Sequence, residues 1–283
     1  MKQGDHLFLV DGSAYIFRAY HALPPLTRKS DGLPVGAVSG FVNMLQRYIE
    51  GNTGANAATH VAVIFDKGSH TFRNDLYDLY KANRDAMPED LRPQMPLTRT
   101  ATQAFNIACK EKEGFEADDI IASLCIYNNK KEVKEPMLIL SADKDFIQLH
   151  RYETVKQYDP IRNRWIETDN PVMYLQEHII RGDRSDGIPN ILTCDDAIVS
   201  GKVQKKMSKE KITTLATMDP EEFTNFIRLR NWKRNSELID FREIPESVVE
   251  RILTSYIKFQ PQTSVNIDYF IENKLQDILD EFS

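Results

Sequence analysis

Apolar runs of strand length that end in an aspartate, together with one dense acidic segment, constrain this chain more than any other feature. The segment is Gly114-Phe115-Glu116-Ala117-Asp118-Asp119-Ile120-Ile121-Ala122, with three carboxylates in four residues directly before an apolar run of helical character. Acidic side chains in a first turn suit the positive end of a helix dipole, and that accounts for one or two of them. It does not account for Asp11, Asp66, Asp143 with Asp145, and Asp183 with Asp186, which stand where other runs end. In an α/β fold, acids at strand ends and in the loops after them converge at the crevice beyond the strands' carboxyl ends. Converging carboxylates repel unless a cation holds them, and Mg2+ takes oxygen ligands and partners phosphate chemistry. The pattern predicts a Mg2+-dependent phosphodiesterase.

His6-Leu7-Phe8-Leu9-Val10 reads as a buried parallel strand, with Asp11 at its end and Gly12 turning into a helix over 14–22. A helix over 35–49 and a second buried strand over 61–65 follow, the latter ending in Asp66. Strand, helix, strand, with an aspartate closing each strand, is a parallel α/β pattern. Within 71–84 the spacing predicts a helix that gathers Arg73, Tyr77, Tyr80, Lys81 and Arg84 on one side. Rings to stack on and cations for phosphates are what a single nucleic-acid strand requires, although Tyr77 and Tyr80 also suit plain packing with Leu76 and Leu79. Pro88, Pro93 and Pro96 then interrupt the chain before a helix over 97–105. The insert around 70–105 is long enough to stand over the site.

These residues carry a resemblance. Leu9-Val10-Asp11-Gly12-Ser13, Ile64-Phe65-Asp66, Thr71-Phe72-Arg73, Tyr80-Lys81-Ala82-Asn83-Arg84 and 114–119 resemble the 5′-nuclease (flap endonuclease) family. The first part is similar to the 5′→3′ exonuclease domain of bacterial DNA polymerase I. Leu138-Ile139-Leu140-Ser141-Ala142-Asp143-Lys144-Asp145-Phe146 and Gly182-Asp183-Arg184-Ser185-Asp186-Gly187-Ile188-Pro189 continue the family pattern. The texture of the second half, as in Val155-Lys156-Gln157-Tyr158, is closer to phage replication ribonuclease H.

The resemblance implies a mostly parallel central sheet flanked by helices, in the 5′-nuclease and PIN-like manner, over 1–180. A mainly helical, DNA-binding subdomain over 181–283 would follow. It implies two Mg2+ positions, with Mn2+ able to substitute. Asp11, Asp66, Glu116, Asp118 and Asp143 match the first group of carboxylates, and Asp119, Asp145, Asp183 and Asp186 the second. Arg73, Lys81 and Arg84 would hold the scissile strand and support the transition state. The substrates implied are DNA and RNA–DNA hybrid with 5′ ends or flaps, such as replication primers. Two alternatives are a PIN-like single-strand ribonuclease, usually shorter and without the Tyr-Lys-x-x-Arg segment, and a non-catalytic DNA-structure-binding protein, against which the intact carboxylates argue.

One departure stands out. After Gly187-Ile188-Pro189 the chain runs Asn190-Ile191-Leu192-Thr193-Cys194-Asp195-Asp196, without the Gly-x-Gly-x-Lys signature of the hairpin that often holds K+ in relatives, so that site is not carried over. Duplex grip then falls to Lys202, Lys205, Lys206 and Lys209, as phosphate contacts without sequence readout. The net charge of -6 is compatible with such a track if many acids gather at a metal site. Helices are predicted over 220–230 and 245–258. At the carboxyl end Gln276, Leu279 and Phe282 have the spacing of peptides that dock on sliding clamps, which inward packing of a terminal helix would produce equally well.

The remaining expectations are general. The 283 residues carry no apolar run of membrane-spanning length and no signal peptide, and nothing resembling a polymerase portion. Cys109, Cys125 and Cys194 show no CxxC spacing, and the six histidines show no metal-ligand spacing. A free-standing, monomeric nuclease of the bacterial or phage-infected cytoplasm is expected.

Overall fold

The computed structural model describes residues 7–257 apart from 29, 30, 50–59, 69, 106, 112 and 224. Gln276, Leu279 and Phe282, the proposed clamp-docking residues, lie outside the described residues.

Six strands form one sheet: β1 (Leu7–Asp11), β2 (His60–Ile64), β3 (Ala108–Lys110), β4 (Met137–Leu140), β5 (Val155–Asp159) and β6 (Arg164–Ile166). Their order is β3-β2-β1-β4-β5-β6, parallel except for β6, which pairs antiparallel with β5. Every residue of β1 and β4 is buried, as expected of strands covered on both faces. The register places Val10 beside both Val63 and Leu140, so the carboxyl ends of β1, β2 and β4 come level. Asp11, Asp66 and Asp143 are thereby carried to one edge of the sheet.

Two cores cover the sheet. On one face, Phe8, Val10, Val63 and Phe65 pack with α1 (Gly12–Ala22), α2 (Gly36–Ile49) and α4 (Gln94–Ala104). On the other, Leu9, Ile64 and Ile139 pack with α5 (Ala117–Asn129) and, through Val248 and Ile252, with α9 (Glu246–Ile257). The helices α6 (Pro171–Arg181), α7 (Lys209–Thr217) and α8 (Phe226–Ile239) form a mainly helical region. The expected division near residue 180 is not a clean break. Ile180 of α6 packs with Leu215 and Ala216 of α7, while α9, far beyond it, belongs to the core of the sheet.

Two local expectations are corrected. The segment 71–84 is helical only in α3 (Phe72–Leu76); Tyr77 is extended, and Lys81 takes a left-handed φ of 56°. Tertiary hydrogen bonds override helical spacing here, since the Lys81 N–H donates to the Asp186 carbonyl at 2.8 Å. The helix predicted over 220–230 begins later, at Phe226, where the Asn225 side chain caps it by accepting from the N–H groups of Ile227 and Arg228.

Candidate active site

The first group of acids is assembled by the sheet and held by neighbouring donors. Asp11 ends β1 and caps α1: one oxygen accepts from the Ala14 N–H at 3.0 Å, the other from the Ser141 hydroxyl at 2.9 Å. The Ser141 oxygen in turn accepts from the Asp143 N–H at 3.1 Å. Asp66 accepts from the Ala117 N–H at 2.6 Å and so receives the positive end of α5, while its own N–H donates to Ser13 Oγ at 2.7 Å. Gly12 is required between these elements, because a Cβ there would lie 2.6 Å from the Phe65 ring.

Electrostatics tie the group together. Burial, followed by the charges of Asp66 and Asp143, pushes Asp11 up to about 7 against the opposing Ala14 N–H. Asp118 is raised well above the usual carboxylate range by burial and then by Asp143, Asp11 and Asp66. Asp11, Asp118 and Asp143 are all raised, with Asp66 among the charges that raise the first two, the condition that a bound cation relieves.

The second group contains a residue that spacing did not reveal. His178, in the last turn of α6, directs Nδ1 towards Asp145 at 3.5 Å and Nε2 towards Asp183 at 3.2 Å. Burial would lower the imidazole, but the hydrogen bond to Asp183 and the charge of Asp145 outweigh it and the ring is raised. Asp183 is held well below the usual range, the contacts of His178 and Ser185 overcoming its burial. Asp145 is pushed up to about 7 by burial and by Asp143, with His178 opposing. Ligand atoms of these three residues lie within 4.8 Å of one another. Metal–ligand bonds of about 2.1 Å require separations of roughly 3.0–4.2 Å, so the set fits a divalent ion after a small contraction. An open cavity of about 760 Å³, lined by Asp143, Asp145, His178, Asp183 and Arg184, adjoins them.

Between the two groups stands a cationic turn. Lys81 Nζ meets Glu116 Oε1 at 2.5 Å and Asp186 Oδ2 at 3.8 Å, and Arg84 pairs with Asp186. The Tyr80 hydroxyl has two carboxylate acceptors within reach for its one proton, Glu116 at 2.8 Å and Asp186 at 3.2 Å. Glu116 is lowered: burial would raise it, but Lys81 and Arg73 prevail. The turn docks on the 183–188 loop, where Gly187 has a φ of +75° and a Cβ would lie 2.8 Å from the Leu79 carbonyl.

Other expected residues occupy different surroundings. Asp119 is fully enclosed; it accepts from Arg73 Nη1 at 2.7 Å and from the Glu116 N–H at 3.0 Å, so it braces Glu116 and does not line the crevice. Arg73 is 3% exposed and also donates from Nε to the Leu238 carbonyl at 2.8 Å, which binds the acid cluster to the end of α8. Tyr77 and Tyr80 pack with Leu175, Ile179 and Leu238, leaving no face for a base. Lys202, Lys205, Lys206 and Lys209 are exposed, with Lys202 paired to Asp196. The helix α8 supplies two residues with no forecast role. Asn235 Nδ2 donates to the carbonyls of Ile179 and Pro189, and Asn231 Nδ2 to those of Ile191 and Thr193, fixing the loop that carries Asp183 and Asp186. Their spacing of four residues on one helix face was the available signal.

The family described as 5'-3' exonuclease, N-terminal resolvase-like domain, matches residues 6–179. The chain belongs to this exonuclease family. It is a family of nucleases, and the second half matches the family described as T4 RNase H, C terminal, over 169–283. The exonuclease-family chain is 44% identical over 258 residues to DNA polymerase I of Rhizobium leguminosarum, covering 81% of this chain and 25% of that protein. It thus spans about a quarter of the length of the polymerases it matches. A 5'-3' exonuclease of Aquifex aeolicus is 29% identical over 272 residues, covering 93% of this chain and 83% of that protein. Among solved structures, a flap endonuclease of bacteriophage T5 in complex with DNA and metal ions shares the fold with a TM-score of 0.58 and 17% identity. The match covers 89% of this chain and 98% of that one.

Proposed function

We propose that this chain is a divalent-metal-dependent phosphodiesterase that cuts DNA and RNA–DNA hybrid at 5′ ends and flaps, recognising structure and not sequence. The observation that carries the reading is the convergence of Asp11, Asp66, Asp118 and Asp143 on one crevice, with Lys81 and Arg84 at its lip. That the T5 relative was crystallised with DNA and metal ions supports it.

In this reading Asp11, Asp66, Asp118 and Asp143, with Glu116, hold one Mg2+, and Asp145, Asp183 and Asp186 hold the other. Bound there, the ions supply a hydroxide nucleophile at neutral pH and neutralise charge on the phosphate and its leaving oxygen. The protein's own groups position the substrate. The ion-pair partners of Lys81 and Arg84 are Glu116 and Asp186, and exchanging these for a phosphate oxygen would place the cations where charge develops in the transition state. Arg73 and Asp119 keep Glu116 aligned from beneath. The lysines from Lys202 to Lys209 contact the duplex backbone, where each neutralised phosphate steepens the salt dependence of binding. The protein acts as a monomer, and docking of Gln276, Leu279 and Phe282 on a sliding clamp would raise its concentration at junctions.

Cleavage of a 5′-labelled flap and of an RNA–DNA hybrid, with Mg2+ and with chelator, tests this directly. Both should be cut only with metal, and Asp143→Asn should slow cleavage at least about a hundredfold, roughly 2.7 kcal/mol of transition-state stabilisation, while flap binding persists. Activity that survives chelator, or near-normal turnover by the variant, would sink the reading.

A further inference from the structure

We propose that His178 is a nitrogen ligand of the second divalent ion, together with Asp145 and Asp183, and that it biases this position towards Mn2+ over Mg2+. The inference rests on the nuclease reading, which makes these aspartates metal ligands, and adds a donor that the acidic pattern does not contain.

Three independent features of the fold point to it. First, the ring is placed by the backbone. It stands one turn before the end of α6, and the chain leaves that helix through Gly182 directly into Asp183. A side chain at Gly182 is impossible, since a Cβ would lie 2.4 Å from the Ile188 carbonyl. Histidine and aspartate therefore have a fixed separation across a rigid corner. Second, the ring is oriented. Tyr174 meets it edge-on with centroids 6.1 Å apart, and both nitrogens face carboxylates. Third, it lines the open cavity beside Asp143, where an ion and a phosphate have access.

The donor set then determines the preference. Carboxylates and water suit Mg2+, whereas imidazole suits first-row transition ions, whose affinity for nitrogen exceeds that of Mg2+. The imidazole lies between the two aspartates, Nδ1 3.5 Å from Asp145 and Nε2 3.2 Å from Asp183, so one nitrogen can turn to an ion that the carboxylates share. The first group, as named above, consists of carboxylates alone.

The test uses the full chain, stripped with chelator and loaded with one and then two equivalents of Mn2+. Electron spin-echo modulation should show a directly coordinated nitrogen that changes when histidine alone carries 15N, and the signal should vanish in His178→Gln. Calorimetry should show Mn2+ affinity at that site falling about tenfold or more in the variant, the scale of losses around metal centres, with Mg2+ affinity nearly unchanged. Absence of histidine nitrogen coupling at both loadings overturns the proposal. So does a variant that binds both ions more tightly, since that is how a competing imidazolium behaves. Should the variant fail to fold, the isotope experiment on the unaltered protein decides alone. Mn2+ bound through oxygen only, with flap cleavage intact, defeats the ligand assignment and leaves the nuclease reading standing. Neither Mn2+ binding nor cleavage defeats both.

Discussion

Replacing Arg73 by Met tests how the acidic crevice is braced. The guanidinium is 3% exposed and Asp119 is 0% exposed, so neither charge has water to fall back on. Arg73→Met leaves the Asp119 carboxylate unpaired and removes the Nε donor from the Leu238 carbonyl. Breaking one partner of a buried pair costs about 3–5 kcal/mol. That is a large part of the roughly 5–15 kcal/mol by which domains are stable. Arg73→Met with Asp119→Asn removes the buried charge and keeps an oxygen for the Glu116 N–H. The double variant should retain only the cost of the orphaned carbonyl, about 1–3 kcal/mol.

The pH dependence of the single variant has a definite sign. Burial already raises Asp119, although Arg73 opposes it. Without Arg73 the folded-state pKa rises further above the unfolded value. A raised carboxylate costs stability above its unfolded pKa, and the cost disappears as pH falls. The deficit of Arg73→Met should therefore be smaller at pH 5 than at pH 8. Urea unfolding at both pH values, with unchanged slope, measures all of this. A loss below about 1 kcal/mol, well under the range for a broken buried pair, or a double variant no more stable than the single one, would refute the bracing role.

Three further outcomes follow from the geometry. Without divalent metal the protein should melt at higher temperature near pH 5.5 than near pH 8: Asp11 and Asp145, both pushed up to about 7, cost stability as pH rises towards that value. Added Mn2+ should raise the melting temperature more at pH 8 than at pH 5.5, and scanning fluorimetry showing the reverse order would contradict the shared crevice. Lys81→Ala should slow single-turnover flap cleavage by about 10²–10³-fold, the loss expected of a transition-state donor, with little change in binding; double substitution of Lys205 and Lys206 should instead weaken binding and flatten its salt dependence. Gly187→Ala forces a side chain onto the Leu79 carbonyl at positive φ and should cost about 1–3 kcal/mol, visible as a lowered urea midpoint.

Residue order alone identified two central strands, the aspartates that close them and the family. Runs such as Leu7–Asp11 are buried on both faces, so their composition betrays them, and the parallel register then makes Asp11, Asp66 and Asp143 neighbours. The change of relative between the two halves was also legible, and the family matches over 6–179 and 169–283 follow it. What the chain could not declare was how its charges are shared out. Asp118 and Asp119 are adjacent, yet one joins the crevice while the other is consumed by Arg73. Helical spacing put Tyr77, Tyr80 and Lys81 on one side and left the rings open to stacking or to plain packing; docking against Asp186 turned the rings inward and the lysine onto Glu116. His178 looked like any other histidine until α6 set it between Asp145 and Asp183. Periodicity reports which face of an element is apolar, because that depends on near neighbours. The partner of a buried charge is decided by distances of a few ångströms between segments far apart in the chain, and only the folded packing determines those.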